Sequence, residues 1–206
     1  MIKTILHLSD THGLHKRLGK LPHADVIIHS GDITFGGNEN EVIDFLEWFG
    51  SLPHRHKIFI AGNHDDCLYQ ASIEGLPDNI HYLCNEGIMI ENTKFYGVPM
   101  FVADCLEGIY EKQIRQIPTG TDILITHQPP LGILDFSKNR HYGNEKLLER
   151  IGIVKPKYHF FGHIHQAYGI QKYEETICVN SAVVNENYEL VNTCLLYTSP
   201  SPRDTE

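Results

Sequence analysis

Two hundred and six residues, 41% hydrophobic and 21% charged, describe a soluble globular chain with room for one sizeable core and for at most two domains. Seventeen Lys and Arg against 26 Asp and Glu give a formal charge of −9, and no basic run stands out from it, which disfavours a purely electrostatic binder of nucleic acid or of an anionic membrane. Histidine is the outlier at 14 residues; imidazole titrates near neutrality and is the commonest protein ligand to metals.

In chain order, Ile2 to Leu8 reads as a first strand; it has neither the apolar length nor the small-residue cleavage site of a signal peptide. No later run approaches the roughly 20 apolar residues of a membrane span, so a cytoplasmic location without membrane contact is expected. Val26–His29, Lys57–Ala61, Asp122–Thr126 and Tyr158–Phe161 read as buried strands. Glu39–Phe49, with Val42, Phe45, Leu46 and Phe49 at helical spacing, is the clearest helix, and Glu107–Gln116 and Asn144–Ile153 are two more. Hairpins are expected at Ile88–Gly97, turning at Glu91-Asn92-Thr93, and at Tyr168–Asn180, turning at Glu174-Glu175. Cys67, Cys84, Cys105 and Cys178 are dispersed without a CxxC pair and read as reduced packing residues. This alternation of strands and amphipathic stretches is that of an α/β chain, and one compact domain over residues 1–193 is preferred. The last segment, from Cys194 onward, resembles the translation of a transposase-type sequencing adapter; residues 194–206 are therefore expected to be foreign, with the native C-terminus missing.

Each of the five buried strands leads into metal-competent side chains. Ile5-Leu6-His7-Leu8 leads to Ser9-Asp10-Thr11-His12-Gly13, Val26–His29 to Ser30-Gly31-Asp32, and Ile58–Ala61 to Gly62-Asn63-His64-Asp65. Ile123–Ile125 leads to Thr126-His127, and His159–Phe161 to Gly162-His163-Ile164-His165. Ligands of open α/β sheets bind beyond the carboxyl ends of strands, so the five loops are expected to converge. Alternate residues of an extended segment face the same way, which lets Asp10 pair with His12 and His163 with His165. Ser9, Gly13, Gly31, Gly62 and Gly162 allow sharp turns and close approach.

The ordered set D-x-H-G, G-D, G-N-H-D, T-H and G-H-I-H, over roughly Met1 to Asn187, resembles the calcineurin-like metallophosphoesterase superfamily. The resemblance implies a four-layer α/β/β/α sandwich of two mixed sheets flanked by helices, with the metal site at strand carboxyl ends. It also implies two divalent ions. Asp10, His12 and His165 would hold one, Asn63, His127 and His163 the other, and Asp32 would bridge them. A thiolate-free His, Asp and Asn set favours Mn, Fe, Co or Zn. Two adjacent ions activate a water for attack on phosphorus, and His64 would be the general acid for the leaving alkoxide.

One departure is visible. Phosphoprotein phosphatases carry G-D-x-x-D-R-G, whereas this chain reads Gly31-Asp32-Ile33-Thr34-Phe35-Gly36-Gly37, so Phe35 cannot orient His64 as an aspartate would, and Asp65 is the candidate substitute. Leu21–Val26, Leu52-Pro53-His54, Pro129–Asp135 and Phe161–Gly169 resemble the metallophosphoesterase-domain branch, which is similar to class III cyclic nucleotide phosphodiesterases. A hydrolase acting on a small phosphodiester or nucleotide is the leading expectation. A phosphomonoesterase or a nuclease is the alternative with the same chemistry, with nucleic acid disfavoured by charge, and a metal-free interaction scaffold is the noncatalytic one. The oligomeric state is open, a homodimer included. The remaining histidines read first as ordinary structural residues, with a supporting role at the site as the alternative for His29 and, more weakly, for His7. His54 and His56 are expected in solvent, and Arg140 and His141 on a surface loop of a length that could overhang the site.

Overall fold

The computed structural model describes residues 2–198. β1 (Thr4–Leu8), β2 (Val26–His29), β3 (His56–Phe59) and β4 (Ile80–Tyr82) form a parallel array in that order. The chain continues through β5 (Glu86–Ile90), β6 (Thr93–Val98), β7 (Ile123–Thr126), a small ribbon of β8 (Phe136–Ser137) and β9 (Arg140–His141), then β10 (Tyr158–Phe161), β11 (Gly169–Tyr173), β12 (Thr176–Asn180) and β13 (Leu195–Thr198). The second sheet has the order β11-β12-β10-β7-β6-β5, parallel from β12 to β6 and antiparallel at both edges.

The strands with nearly continuous apolar sequence are those covered on both faces, as parallel strands must be. Val26 and Ile28 of β2 point at the second sheet, where they meet Ile123 and Ile125 of β7 and Phe160 of β10, while Ile27 points outward under a helix. That helix, α1 (Glu39–Ser51), covers the first sheet with Val42, Phe45 and Phe49. It starts at a capping box, in which Asn38 Oδ1 accepts the Glu41 N–H and the Glu41 carboxylate accepts the Asn38 N–H. On the far side, α3 (Ile109–Gln116) and α4 (Glu145–Val154) bury Tyr110, Ile114, Leu147 and Ile151 against Tyr96 and Leu124. The result is the expected helix, sheet, sheet, helix layering.

The helix expected over Glu107–Gln116 begins two residues later, at Ile109. A short α2 (Val102–Leu106) precedes α3, and Gly108 between them takes a left-handed conformation (φ 66°) that ends one helix and starts the next. The first hairpin turns on two residues, Glu91 and Asn92, both with positive φ (46° and 67°), as the twist-matched tight turn requires. Residues 195–198, within the segment expected to be foreign, form β13 antiparallel to β1, with Leu195 and Tyr197 against the inter-sheet core. An edge strand offers unpaired backbone groups to any extended apolar segment within reach, whatever its origin; residues 199–206 lie outside the described residues. Among the described residues Cys67, Cys84, Cys105, Cys178 and Cys194 are free, and no helix is long and apolar enough to cross a membrane.

The loops after β1, β2, β3, β7 and β10 leave the same end of the sandwich. Beyond the strands proper the pairing continues, with Asp10 N–H donating to Gly31 O and His12 N–H to Asp32 O, both at 3.0 Å. A bridge between Ser9 and Ala182 ties the carboxyl end of β1 to the segment that follows β12 in the other sheet. Phe45 is fully buried beneath these loops, stacked on Phe49 and edge-on to His29. Phe45→Ala is expected to lower stability by about 4 kcal/mol in chemical denaturation, the cost of a large unfilled core cavity.

Candidate metal centre

The loops are held in conformations that ordinary side chains avoid. Asp10 (φ 57°), His12 (42°), Asp32 (55°) and His163 (68°) all have left-handed backbones, a strain that persists only where surrounding contacts enforce it and that concentrates at functional sites. Close approach supplies the enforcement. A Cβ at Gly162 would overlap the Asp10 carboxylate and the Ser9 side chain, and one at Gly62 would overlap Asp32.

Asp10 and Asp32, both essentially inaccessible to solvent, are the negative centre. Asp10 accepts the His163 backbone N–H at 3.0 Å and lies 3.3 Å from His165 Nε2. Asp32 uses one oxygen to accept the His64 N–H at 2.9 Å and turns the other toward two rings, with His12 Nε2 at 3.6 Å and His127 Nε2 at 3.3 Å. Asn63 Oδ1 stands 3.1 Å from His127 Nε2, and the His163 ring centroid 5.0 Å from that of His127. All seven expected ligand residues thus meet in one cluster. Asp10, His12 and His165 form one group of mutually close donor atoms, and Asp10, Asp32 and His127 form another.

Backbone carbonyls fix the tautomers. His12 Nδ1–H donates to Thr34 O (3.2 Å), His127 Nδ1–H to Ser30 O (2.9 Å) and His165 Nδ1–H to Asn185 O (3.1 Å). The neutral rings therefore present bare lone pairs on Nε2 to the carboxylates, and those of His12 and His165 face one another at 3.4 Å. Acceptors packed this closely require positive charge between them, a proton or a cation. Burial opposes ionisation of Asp10, but His165, His127 and His12 outweigh it and hold its carboxyl well below the usual carboxylate range. Burial likewise opposes a charge on His127, yet Asp32 and Asp10 push its pKa up to about 9. The donor set therefore fits divalent cations, with Nδ1 of three ligand rings oriented as metal-bound histidines usually are.

A second tier of histidines braces the loops. His29 Nε2 lies 3.0 Å from Thr11 Oγ1, between the two expected ligands of the first loop, and His7 Nε2 lies 2.9 Å from Ser30 Oγ. His159 Nε2 lies 2.8 Å from Thr126 Oγ1, beside His127. Burial lowers His29 and His159 to about 3, so they stay neutral. Each ties its own strand to the ligand loop of the neighbouring strand.

The family profile of the calcineurin-like phosphoesterases matches residues 3–167. Metallophosphoesterase domain-containing protein 1 of Homo sapiens is 36% identical over 234 aligned positions, covering 96% of this chain and 71% of that protein. The chain belongs to the calcineurin-like phosphoesterase family. A UPF0046 protein of Caenorhabditis elegans is also 36% identical, over 95% of this chain and 80% of its own length. The fold is shared with TT1561 of Thermus thermophilus, at a TM-score of 0.65 and 13% identity over 88% of this chain and 90% of that one. Family membership supports a metal-dependent phosphoesterase, and the Asp and His clusters supply donors suited to it.

The structure corrects two expectations. His64 is oriented by the main chain of Phe35: its Nδ1–H donates to Phe35 O at 3.0 Å. Asp65 does not take that role. Buried, it accepts from Ile33 N–H, Thr34 N–H, the Thr34 hydroxyl and Gly62 N–H, clamping the second ligand loop to the third. His54 is not solvated but buried, with Nε2 3.0 Å from Pro22 O. The loop carrying Arg140 and His141 lies at the surface, as expected, with both residues exposed. It forms the ribbon β8–β9, tied down by buried Asp135, which accepts from Gly132 and Gly143 N–H and pairs with His141 at 2.7 Å, while Arg140 lies over the Tyr142 ring. Asn185, whose carbonyl orients His165, escaped the sequence reading because a backbone acceptor leaves no residue-type signal.

Two outcomes are expected. Asp65→Ala strands three buried backbone donors, the N–H groups of Ile33, Thr34 and Gly62, and should lower the stability of the metal-free protein by about 3 kcal/mol in denaturant titration. At pH 7 to 8 the raised pKa of His127 keeps its ring protonated without metal, whereas ligation needs the free lone pair. Metal uptake should therefore release protons, and affinity should rise with pH until about 9, read from calorimetry in buffers of different ionisation enthalpy.

Proposed function

We propose that this chain is a dinuclear, divalent-metal-dependent phosphodiesterase acting on small diesters such as cyclic nucleotides. The observation that carries the reading is Asp32, whose Oδ2 lies between His12 Nε2 and His127 Nε2 at 3.6 and 3.3 Å, one ring from each half of the cluster. That is the position of a bridging carboxylate. In this reading Asp10, His12 and His165 would hold one cation, and Asn63, His127 and His163 the other; Mn, Fe, Zn and Co suit the donors.

Divalent cations supply Lewis-acid activation of a water nucleophile and neutralise phosphoryl oxygens. The chain's own residues supply orientation and the proton. Strained loops fix the ligands before substrate arrives, so little reorganisation is needed in the transition state. A His64 ring nitrogen lies within 4.8 Å of donor atoms of His12 and Asp32. With Nδ1–H committed to Phe35 O, the proton a charged His64 has to give is the one on Nε2, and the departing alkoxide is its acceptor. In this reading the positive charge that meets a phosphate diester would come from the cations.

Asp32→Asn should lose diesterase activity and part of the bound metal. His64→Ala should keep both ions and reduce kcat by about 10²-fold or more. Elemental analysis coupled to hydrolysis of cyclic diesters, linear diesters and monoesters checks both. Full activity in Asp32→Asn with both ions retained would rule out the assigned centre, and a wild type faster on monoesters than on diesters would move the reading to a phosphomonoesterase.

A further inference from the structure

Two aromatic rings stand beside the cluster with no part in the chemistry above. Phe35 is 54% exposed. Its ring centroid lies 5.0 Å from that of Tyr188, with the planes at 83°. Tyr188 stands edge-on to His12 at 4.9 Å and lies 5.8 Å from His165 and 6.1 Å from His64. Phe35 is 6.4 Å from both His12 and His64. The pair makes an apolar corner against three imidazoles of the cluster, with the outer surface of Phe35 open to solvent.

Both residues are held in place. Tyr188 has a left-handed backbone (φ 59°), an unusual conformation for a bulky residue. The turn around it enforces this: Tyr188 N–H donates to Asn185 O at 3.0 Å, and Asn185 Oδ1 accepts the N–H groups of Asn187 and Glu189 at 2.9 and 3.0 Å. Asn185 O is also the acceptor for His165 Nδ1–H. Phe35 is fixed on both sides of its backbone, since its N–H donates to Glu41 Oε1 at 2.9 Å and its carbonyl accepts from His64. The backbone of Phe35 is thus tied directly to His64, and that of Tyr188 to His165 through their shared acceptor, Asn185 O.

The geometry points to Phe35 and Tyr188 as a selector for one substituent of the ester, taking a flat aromatic ring, nucleobase or aryl, against the exposed face of Phe35. The inference rests on the phosphodiesterase reading for its substrate and on the aromatic corner for its selectivity. Stacking on an aromatic side chain is worth about tenfold in affinity or more, and an alkyl substituent gains little of it.

The test uses the full chain loaded with Mn and three diesters that share a p-nitrophenolate leaving group and carry methyl, phenyl or 5′-thymidine as the other substituent. The shared leaving group holds the chemistry constant. Wild type should favour the phenyl and thymidine esters about tenfold in kcat/KM, mostly through KM. Phe35→Leu and Tyr188→Leu should bring that ratio toward one, and Tyr188→Phe should keep it. Calorimetric binding of methyl phosphate, phenyl phosphate and adenosine monophosphate gives a second readout that needs no turnover, and the same order is expected. A preference for phenyl alone or for the nucleosides alone assigns the corner to that ring type. Wild type that binds the three monoesters equally or not at all, or leucine variants that weaken all three in proportion, overturns the selector. Selective binding without hydrolysis of any diester keeps the selector and removes the phosphodiesterase reading.

Discussion

Two buried carboxylates, Asp10 and Asp32, are the constraint on which the rest of this fold turns. Both are inaccessible to solvent and stay ionised because the rings of His12, His127 and His165 close on them and the His163 and His64 N–H groups donate to them. Placing so many donors and acceptors in one small volume demands left-handed backbones, glycines where loops touch, and carbonyls that fix each ring. The two apolar sheets make this possible by delivering five loops to one end of a rigid, close-packed sandwich.

Much of this was legible in the sequence, and the reason is geometric. Expected ligands follow buried strands directly, so the apolar run that fixes each strand also fixes where its polar residues emerge, as in Val26–His29 followed by Asp32. Strand boundaries fell within about two residues for the same reason, and the hairpin at Glu91-Asn92 followed from its turn residues. The short helix α2 before Gly108 was not legible because five residues carry too little helical periodicity.

The orienting contacts were not legible. A carbonyl acceptor such as Thr34, Ser30, Phe35 or Asn185 carries no residue-type signature, and the roles of Asp65 and His54 depend on which loops meet in space. Phe35 shows the limit well. Its side chain cannot replace an aspartate, but its main chain does the orienting, and only the fold reveals that substitution.

Each half of the cluster draws on both sheets. Asp10 and His12 follow β1 while His165 follows β10, and Asn63 follows β3 while His127 follows β7. A cation held by either group is therefore a rivet through the two layers at their carboxyl ends, where apolar packing gives way to polar loops. The free energy that holds the ion is at the same time resistance to the sheets sliding apart. Catalytic competence and mechanical integrity of the sandwich then share one joint, and a change that loosens the layers far from the loops reaches the chemistry by the same route.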